Sequence, residues 1–347
     1  MLTMLANPFR GTGLPDAERL PLDDATPVSN LLSKCPVHAP TPLVDATDLA
    51  RECEIAALWI KDERARMGLG SFKALGAAHA IARAASATGD PGANSLTGQT
   101  YVTASAGNHG LSVAAGASVF GARAVVYLAE TVPDAFAERL RAKGAEVVRT
   151  GATYEDSMAS AEAAAKSNGW NLLSDSSWPG YSEMPLRVME GYLQMAAEAV
   201  AQVPQPPTHI LLQAGVGGLA AAFAAHARRA WGDAPHIIVV EPAAAPALIE
   251  SIRAGKIVDT IGPVSNMGRL DCKTPSQIAL AGLARDAETF VTISEKDAEA
   301  ALPRLAAHGL ASTPSGAAGL AALFSGLPMI DADARVLAIL SEGPEDA

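Results

Sequence analysis

Short runs of apolar and β-branched residues recur along the chain, each followed by a longer Ala-rich stretch. ALWIK (57–61), YVTAS (101–105), AVVYLAE (124–130), HILLQAG (209–215), HIIVVEP (236–242), TFVTIS (289–294) and RVLAILSEG (335–343) read as strands. Segments near 73–87, 108–120, 133–143, 153–167, 183–201, 217–231, 295–308 and 315–325 read as helices, because Ala, Leu, Glu and Arg predominate there. Such alternation predicts an α/β fold with a parallel sheet covered by helices on both faces.

Punctuation supports several boundaries. Ser294 precedes Glu295 and Asp297, and Thr131 precedes Pro133 and Asp134, so an N-cap and first-turn acids mark helix starts. The stretch to about Pro42 is Pro-rich and reads as irregular, while 88–99 (TGDPGANSLTGQ) and 202–207 (QVPQPP) read as linkers or surface excursions. No internal repeat is visible.

Composition narrows the function classes. The 347 residues include 49% hydrophobic and 18% charged residues, enough to bury a core and, at this length, to form two lobes or one large α/β unit. The count of 26 basic against 37 acidic side chains leaves a net charge of −11, which repels a nucleic-acid backbone. Cys35, Cys53 and Cys272 are scattered and odd in number, fitting a reducing compartment, and none forms a CxxC metal pair. No apolar run has the length of a membrane span or a signal peptide, so the cytoplasm is the expected location.

Two loops carry candidate chemistry for anions. HILLQAG runs into Gly215-Val216-Gly217-Gly218-Leu219 and an Ala-rich helix, where backbone N–H groups and the helix dipole suit a phosphate. The same residues with Ala220 fit a G-x-G-x-x-A dinucleotide fingerprint, and Glu241 ends the next strand where an acid could hold a ribose hydroxyl. A nicotinamide-dependent oxidoreductase is therefore one reading. Packing alone is another.

Lys73 follows Gly68, Gly70, Ser71 and Phe72 and opens an Ala-rich helix destined for burial. Burial there lowers a lysine's pKa and suits it to attack a carbonyl. Arg66 and Met67, just before it, are placed at the entrance. Strand YVTAS ends in Ser105-Ala106-Gly107-Asn108-His109-Gly110, a neutral set of hydrogen-bonding groups suited to a carboxylate or a phenolic oxygen, although Asn108 also fits an N-cap and His109 a structural histidine. Cys272 reads as a partly buried thiol, and the helix at 183–201, with Met189 and Tyr192, as core or a subunit contact.

Ser71-Phe72-Lys73, the SAGNHG loop, the GVGGL loop and Ser341-Glu342-Gly343 resemble, in order, the fold-type II pyridoxal-phosphate enzymes, which include serine/threonine dehydratases. Within that family KDERARMGLGSFKALG (61–76) and the Asp175, Trp178, Gly180, Tyr181 pattern are most similar to the diaminopropionate ammonia-lyase branch. The resemblance implies two lobes, each with a largely parallel sheet flanked by helices. Residues 1–80 plus 182–347 would form the large cofactor-binding lobe, and 81–181 the smaller inserted one. It implies pyridoxal phosphate held by Phe72, Lys73, Asn108, Gly215, Val216, Gly217, Gly218, Leu219 and Ser341, with Lys73 bonded to the cofactor and then acting as base at Cα. Asn108 would meet the ring hydroxyl and Ser341 the pyridine nitrogen, where a hydroxyl makes the ring a weaker electron sink than a carboxylate would and favours elimination. Ser105, Ala106, Gly107, His109, Asp175 and Tyr181 would surround the substrate. A homodimer is also implied.

The branch carries an acid where this chain has Ala106, the proposed base for the D-isomer, so the resemblance here implies L-specificity with Asp175 at the β-amino group. The expected reaction releases a 2-oxo acid such as pyruvate and ammonia from a small L-amino acid resembling 2,3-diaminopropionate. A serine/threonine or hydroxyaspartate-type dehydratase, the oxidoreductase, and a non-catalytic pyridoxal-phosphate or amino-acid sensor stand as alternatives.

Overall fold

The computed structural model describes residues 2–89 and 91–344, so Asp90 of the expected 88–99 excursion lies outside them. In chain order the strands are β1 (Thr3–Ala6), β2 (Leu43–Asp45), β3 (Ala57–Asp62), β4 (Thr100–Ala104), β5 (Arg123–Leu128), β6 (Ala145–Arg149), β7 (Asn171–Leu172), β8 (His209–Gln213), β9 (His236–Pro242), β10 (Thr289–Ile293) and β11 (Arg335–Leu340). The helices are α1 (Thr26–Leu32), α2 (Thr47–Glu52), α3 (Lys73–Ser86), α4 (Asn108–Val119), α5 (Asp134–Ala142), α6 (Tyr154–Asn168), α7 (Glu183–Gln202), α8 (Gly218–Trp231), α9 (Ala247–Ala254), α10 (Gln277–Asp286), α11 (Glu295–Ala307) and α12 (Ala318–Phe324).

Seven strands form one sheet in the order β1-β10-β9-β8-β11-β3-β2, and four form a second in the order β6-β5-β4-β7. The five inner strands of the larger sheet are mutually parallel, as is the whole smaller sheet; only the edge strands β1 and β2 run antiparallel. The inner strands are buried almost throughout, as strands covered on both faces must be. All residues of the smaller sheet lie between 100 and 172, whereas the larger takes strands from both ends of the chain, bringing β3 beside β11. Among the described residues no helix is long and apolar enough to cross a membrane.

Helices α3 and α7 pack at a contact made of small residues. A Cβ on Gly191 would lie 2.4 Å from the Leu75 carbonyl oxygen, and one on Gly76 would lie 2.6 Å from Cε1 of Tyr192. Close approach here sets Lys73, at the start of α3, against the middle of α7.

Ser294 caps α11 in a reciprocal box with Asp297, as expected, and Thr153 caps α6 with Asp156 in the same way. Thr131 caps nothing, because α5 begins at Asp134 after Pro133 without a side-chain cap. The N-terminal stretch expected to be irregular contains β1 and α1, and α2, α9, α10 and the short strands β2, β6 and β7 are further additions. Residues 203–208 form a surface turn that connects α7 to β8.

Candidate active site

Lys73 is delivered by the chain that leaves the C-terminal end of β3, the end at which open parallel sheets present ligand sites. β3 and β11 pair as far as Asp62 opposite Leu340, and the pairing then continues irregularly. Glu63 N–H donates to Leu340 O (2.9 Å), Phe72 N–H to Ser341 O (3.0 Å) and Gly343 N–H to Gly70 O (3.0 Å). Ser341 is thereby fixed beside Lys73 although 268 residues separate them in the sequence. The intervening turn uses the left-handed region at Met67 (φ 51°), Gly68 (φ 67°) and Gly70 (φ 80°).

Arg66 does not shape an entrance: its side chain is fully buried. Its guanidinium binds Glu63 (2.7 Å) and Glu198 (2.6 and 2.8 Å), and Lys61 Nζ binds the same Glu198 carboxylate at 2.8 Å. Thr41 joins through its hydroxyl on Glu63 (2.6 Å) and its N–H on Glu198 (3.1 Å). Two cations and two anions balance, and the network ties the turn carrying Lys73 to α7.

Lys73 forms an ion pair with Asp175, which stands in the loop between β7 and α7. Burial disfavours charge on both groups, yet their mutual attraction prevails, raising the Lys73 pKa and holding Asp175 far below the usual carboxylate range. The expected lowering of the Lys73 pKa is thus reversed by a carboxylate 102 residues away. Lys73 Nζ also lies 5.4 Å from the Phe72 ring centre and 6.0 Å from that of Tyr192. Tyr181 spends its hydroxyl on this loop, donating to Leu172 O (2.8 Å) and accepting from Ser174 N–H (3.0 Å) while its ring stacks on Trp178. It braces Asp175.

The loop after β4 closes the opposite wall. Ser105 Oγ accepts the N–H groups of Gly107 (3.2 Å) and Gly110 (3.0 Å), shaping the turn into α4. Gly107, not Asn108, is the N-cap residue, which leaves the Asn108 side chain to donate to Glu342 Oε2 at 2.5 Å. Thr313 Oγ1 donates to the other Glu342 oxygen. A carboxylate only accepts, so it obliges the Asn108 amide to present its nitrogen to Glu342. His109 is buried, with Nε2 2.8 Å from Leu173 O and Nδ1 without a partner; burial lowers its pKa and it is held as a neutral ring. Beside Ala106, whose carbonyl accepts from Arg269 Nη1 at 3.4 Å, a Cβ on Gly107 would come within 3.3 Å of the Arg269 side chain.

Gly215, Val216, Gly217, Gly218 and Leu219 join β8 to α8. Gly217 takes φ 97°, and the first N–H groups of α8 have no helical acceptor. A Cβ on Gly215 would lie 2.9 Å from Cys272 Sγ, so only glycine leaves this cradle open. Burial and the Asp175 charge push the Cys272 thiol up to about 12 and keep it neutral. Glu241 is not available to a ribose, because its two oxygens accept the N–H groups of Leu248 (2.7 Å) and Ile249 (2.8 Å) at the start of α9. That removes the acid on which the dinucleotide reading rests.

These parts fit pyridoxal phosphate. An anion cradle at the N-terminus of α8 and the Lys73 amine at the start of α3 are joined by Tyr192, which touches the position of Gly218 and lies beside Nζ, and the buried Ser71 hydroxyl close before Lys73 has no hydrogen-bond partner. Glu342, Tyr192 and Cys272 belong to the same site. Sequence reasoning passed over their part in the site; for Glu342 the signal was its place between Ser341 and Gly343.

Comparison with known proteins agrees. The sequence profile of the family described as pyridoxal-phosphate dependent enzyme matches residues 35–342. Diaminopropionate ammonia-lyase of Salmonella typhimurium is 32% identical, covering 89% of this chain and 86% of that protein. L-threonine ammonia-lyase of Geobacter sulfurreducens is also 32% identical, over 71% of this chain and 59% of its own length. Among solved structures, Escherichia coli diaminopropionate ammonia-lyase in complex with an aminoacrylate–pyridoxal-phosphate intermediate superposes with a TM-score of 0.88 at 30% identity, covering 100% of this chain and 94% of the other. The chain belongs to the pyridoxal-phosphate dependent enzymes of fold type II, as a member of their ammonia-lyase group.

Proposed function

We propose that the protein eliminates a β-amino group from a small L-amino acid of the 2,3-diaminopropionate kind, giving a 2-oxo acid and ammonia. The reading is supported by the likeness to diaminopropionate ammonia-lyases. One observation carries it: Asp175 sits directly on Lys73 as its ion-pair partner.

The glycine loop 215–219 would hold the cofactor phosphate, Lys73 its aldehyde carbon, Asn108 its ring hydroxyl and Ser341 its ring nitrogen. Bound there, pyridoxal phosphate supplies an electron sink that labilises the Cα proton and lets a group depart from Cβ. The N–H groups of Ala106, Asn108 and His109, left over when those of Ser105 and Gly107 go to Tyr127 O and Ser105 Oγ, would orient the substrate carboxylate. Asp175 would take the β-ammonium of the substrate, an ion pair that a β-hydroxyl cannot offer. Once Asp175 turns to that ammonium, Lys73 loses the counter-ion that raises its pKa, and its amine becomes free to accept the Cα proton. With Ala106 in place of an acid, no second carboxylate faces Cα from the 105–110 loop, which supports L-specificity.

The test is Lys73→Ala beside the wild type, both incubated with pyridoxal phosphate and screened with β-substituted L-amino acids. The wild type should hold the cofactor's visible absorption band through dialysis and release a 2-oxo acid, and the variant should do neither. A colourless wild type would overturn the reading.

A further inference from the structure

Tyr192 stands out among the buried polar side chains. Its residue is 1% exposed, and its hydroxyl has no hydrogen-bond partner. Stripped of water and left with only a long approach to Lys73, a phenol in this position is poorly compensated, and Phe would fill the same space without that cost. The ring is held from three sides. Gly76 of α3 leaves room for it, its edge contacts the position where Gly218 opens α8, and Phe72 lies 4.9 Å away between ring centres. The side chain therefore cannot swing off to find a partner elsewhere. Its hydroxyl lies close enough to Lys73 for the two side chains to interact, but outside ordinary hydrogen-bond geometry while Nζ pairs with Asp175, and the charges of both Lys73 and Asp175 act on it.

We propose that Tyr192 is a positioning residue for the Lys73 amine, its hydroxyl oxygen accepting an N–H from Nζ once Asp175 has turned to the substrate. The inference rests on the reading of Lys73 as the base at Cα. When Lys73 takes up that proton it becomes an ammonium, and Asp175 is then occupied; Tyr192 Oη is a fixed acceptor on the side of Nζ facing α7. It supports the charged product of proton abstraction and aims the remaining valences of the nitrogen toward the substrate side. The other titratable groups acting on this corner are His109 on α4 and Cys272 before α10, while Tyr154 at the start of α6 is half exposed and of this corner feels only the charges of Asp175 and Cys272. His79 and Glu190 pair with one another farther along α3 and α7, at 3.1 Å.

Tyr192→Phe in the holoenzyme tests this, because it removes one oxygen and leaves the ring. The turnover number on L-2,3-diaminopropionate should fall about tenfold with KM little changed, as expected for losing a hydrogen bond to a charged group. The acidic limb of the kcat profile should move to lower pH, because an ammonium with one acceptor fewer gives up its proton more readily. The pH midpoint of the visible band should shift in the variant as well, a readout independent of turnover, while the cofactor-free protein should unfold at an equal or higher temperature. An unchanged pH limb and an unchanged band midpoint in a well-folded variant would overturn the proposal and leave Tyr192 a packing residue. Failure of the reading of Lys73 shows separately, as a visible band that survives Lys73→Ala.

Discussion

Glu198→Ala probes the buried network that anchors the turn carrying Lys73. The carboxylate accepts from Lys61 Nζ, from two nitrogens of Arg66, from the Thr41 N–H and from Gln194 Nε2 at 3.0 Å, and both cations are fully buried. Its removal leaves two buried cations facing the single anion Glu63. Breaking a buried pair in this way costs about 3–5 kcal/mol, far above the ~0–1 kcal/mol of an exposed pair. For a chain of this size the melting temperature should fall by about 4–7 °C, measured by calorimetry on the cofactor-free protein. Removing the half-exposed Glu52, which bridges Arg304 and His308, supplies the contrast and should cost about 1 kcal/mol or less. A pH series adds a second signature. Burial alone would raise the Glu198 pKa, but Arg66 and Lys61 hold it at about 2 against an ordinary 4.5, so its contribution is present above 4.5 and is lost as the pH falls toward 2. Glu198→Ala should lack that part of the acid response. A loss of stability as small as that of Glu52→Ala would refute the idea that the network holds the turn.

Two further outcomes follow from single positions. Ala106→Asp should confer turnover of D-2,3-diaminopropionate by supplying a second base on the 105–110 loop, with activity on the L-isomer retained; an enantiomer-resolved assay that detects no D-turnover would count against that account. Glu241 is raised to about 8 by burial, and the N–H groups of Leu248 and Ile249 only partly offset this. A folded-state pKa above the ordinary 4.5 means that the wild type loses stability as pH rises from 4.5 to 8, so Glu241→Gln should gain on it over that interval in urea unfolding. Parallel curves for the two proteins would show that Glu241 is charged throughout.

The inner strands β3, β4, β5, β8, β9, β10 and β11 were legible because burial on both faces demands long apolar runs. Strands β1, β2 and β7, of four, three and two residues, are too short to show a period. The order of Lys73, the 105–110 loop, the glycine loop and Ser341 pointed to the cofactor through the family they resemble, since each motif alone allowed a packing or capping role. Charge placement did not show in the same way. Arg66 looks like an entrance residue until Glu198, 132 positions away, is seen on it, and Lys73 looks like a lowered-pKa amine until Asp175 arrives through the fold. Tyr192 is one apolar position in a helix until the close α3–α7 contact places its hydroxyl near Lys73.

The central claim is a β-amino leaving group, and the ammonia released per 2-oxo acid tests it most directly. With L-2,3-diaminopropionate, elimination followed by hydrolysis of the product should yield two ammonia for each pyruvate, at a kcat/KM above that for L-serine, which yields one. Turnover of L-serine or L-threonine without any release of pyruvate from L-2,3-diaminopropionate would contradict the assignment of Asp175 and make the protein a hydroxyamino-acid dehydratase.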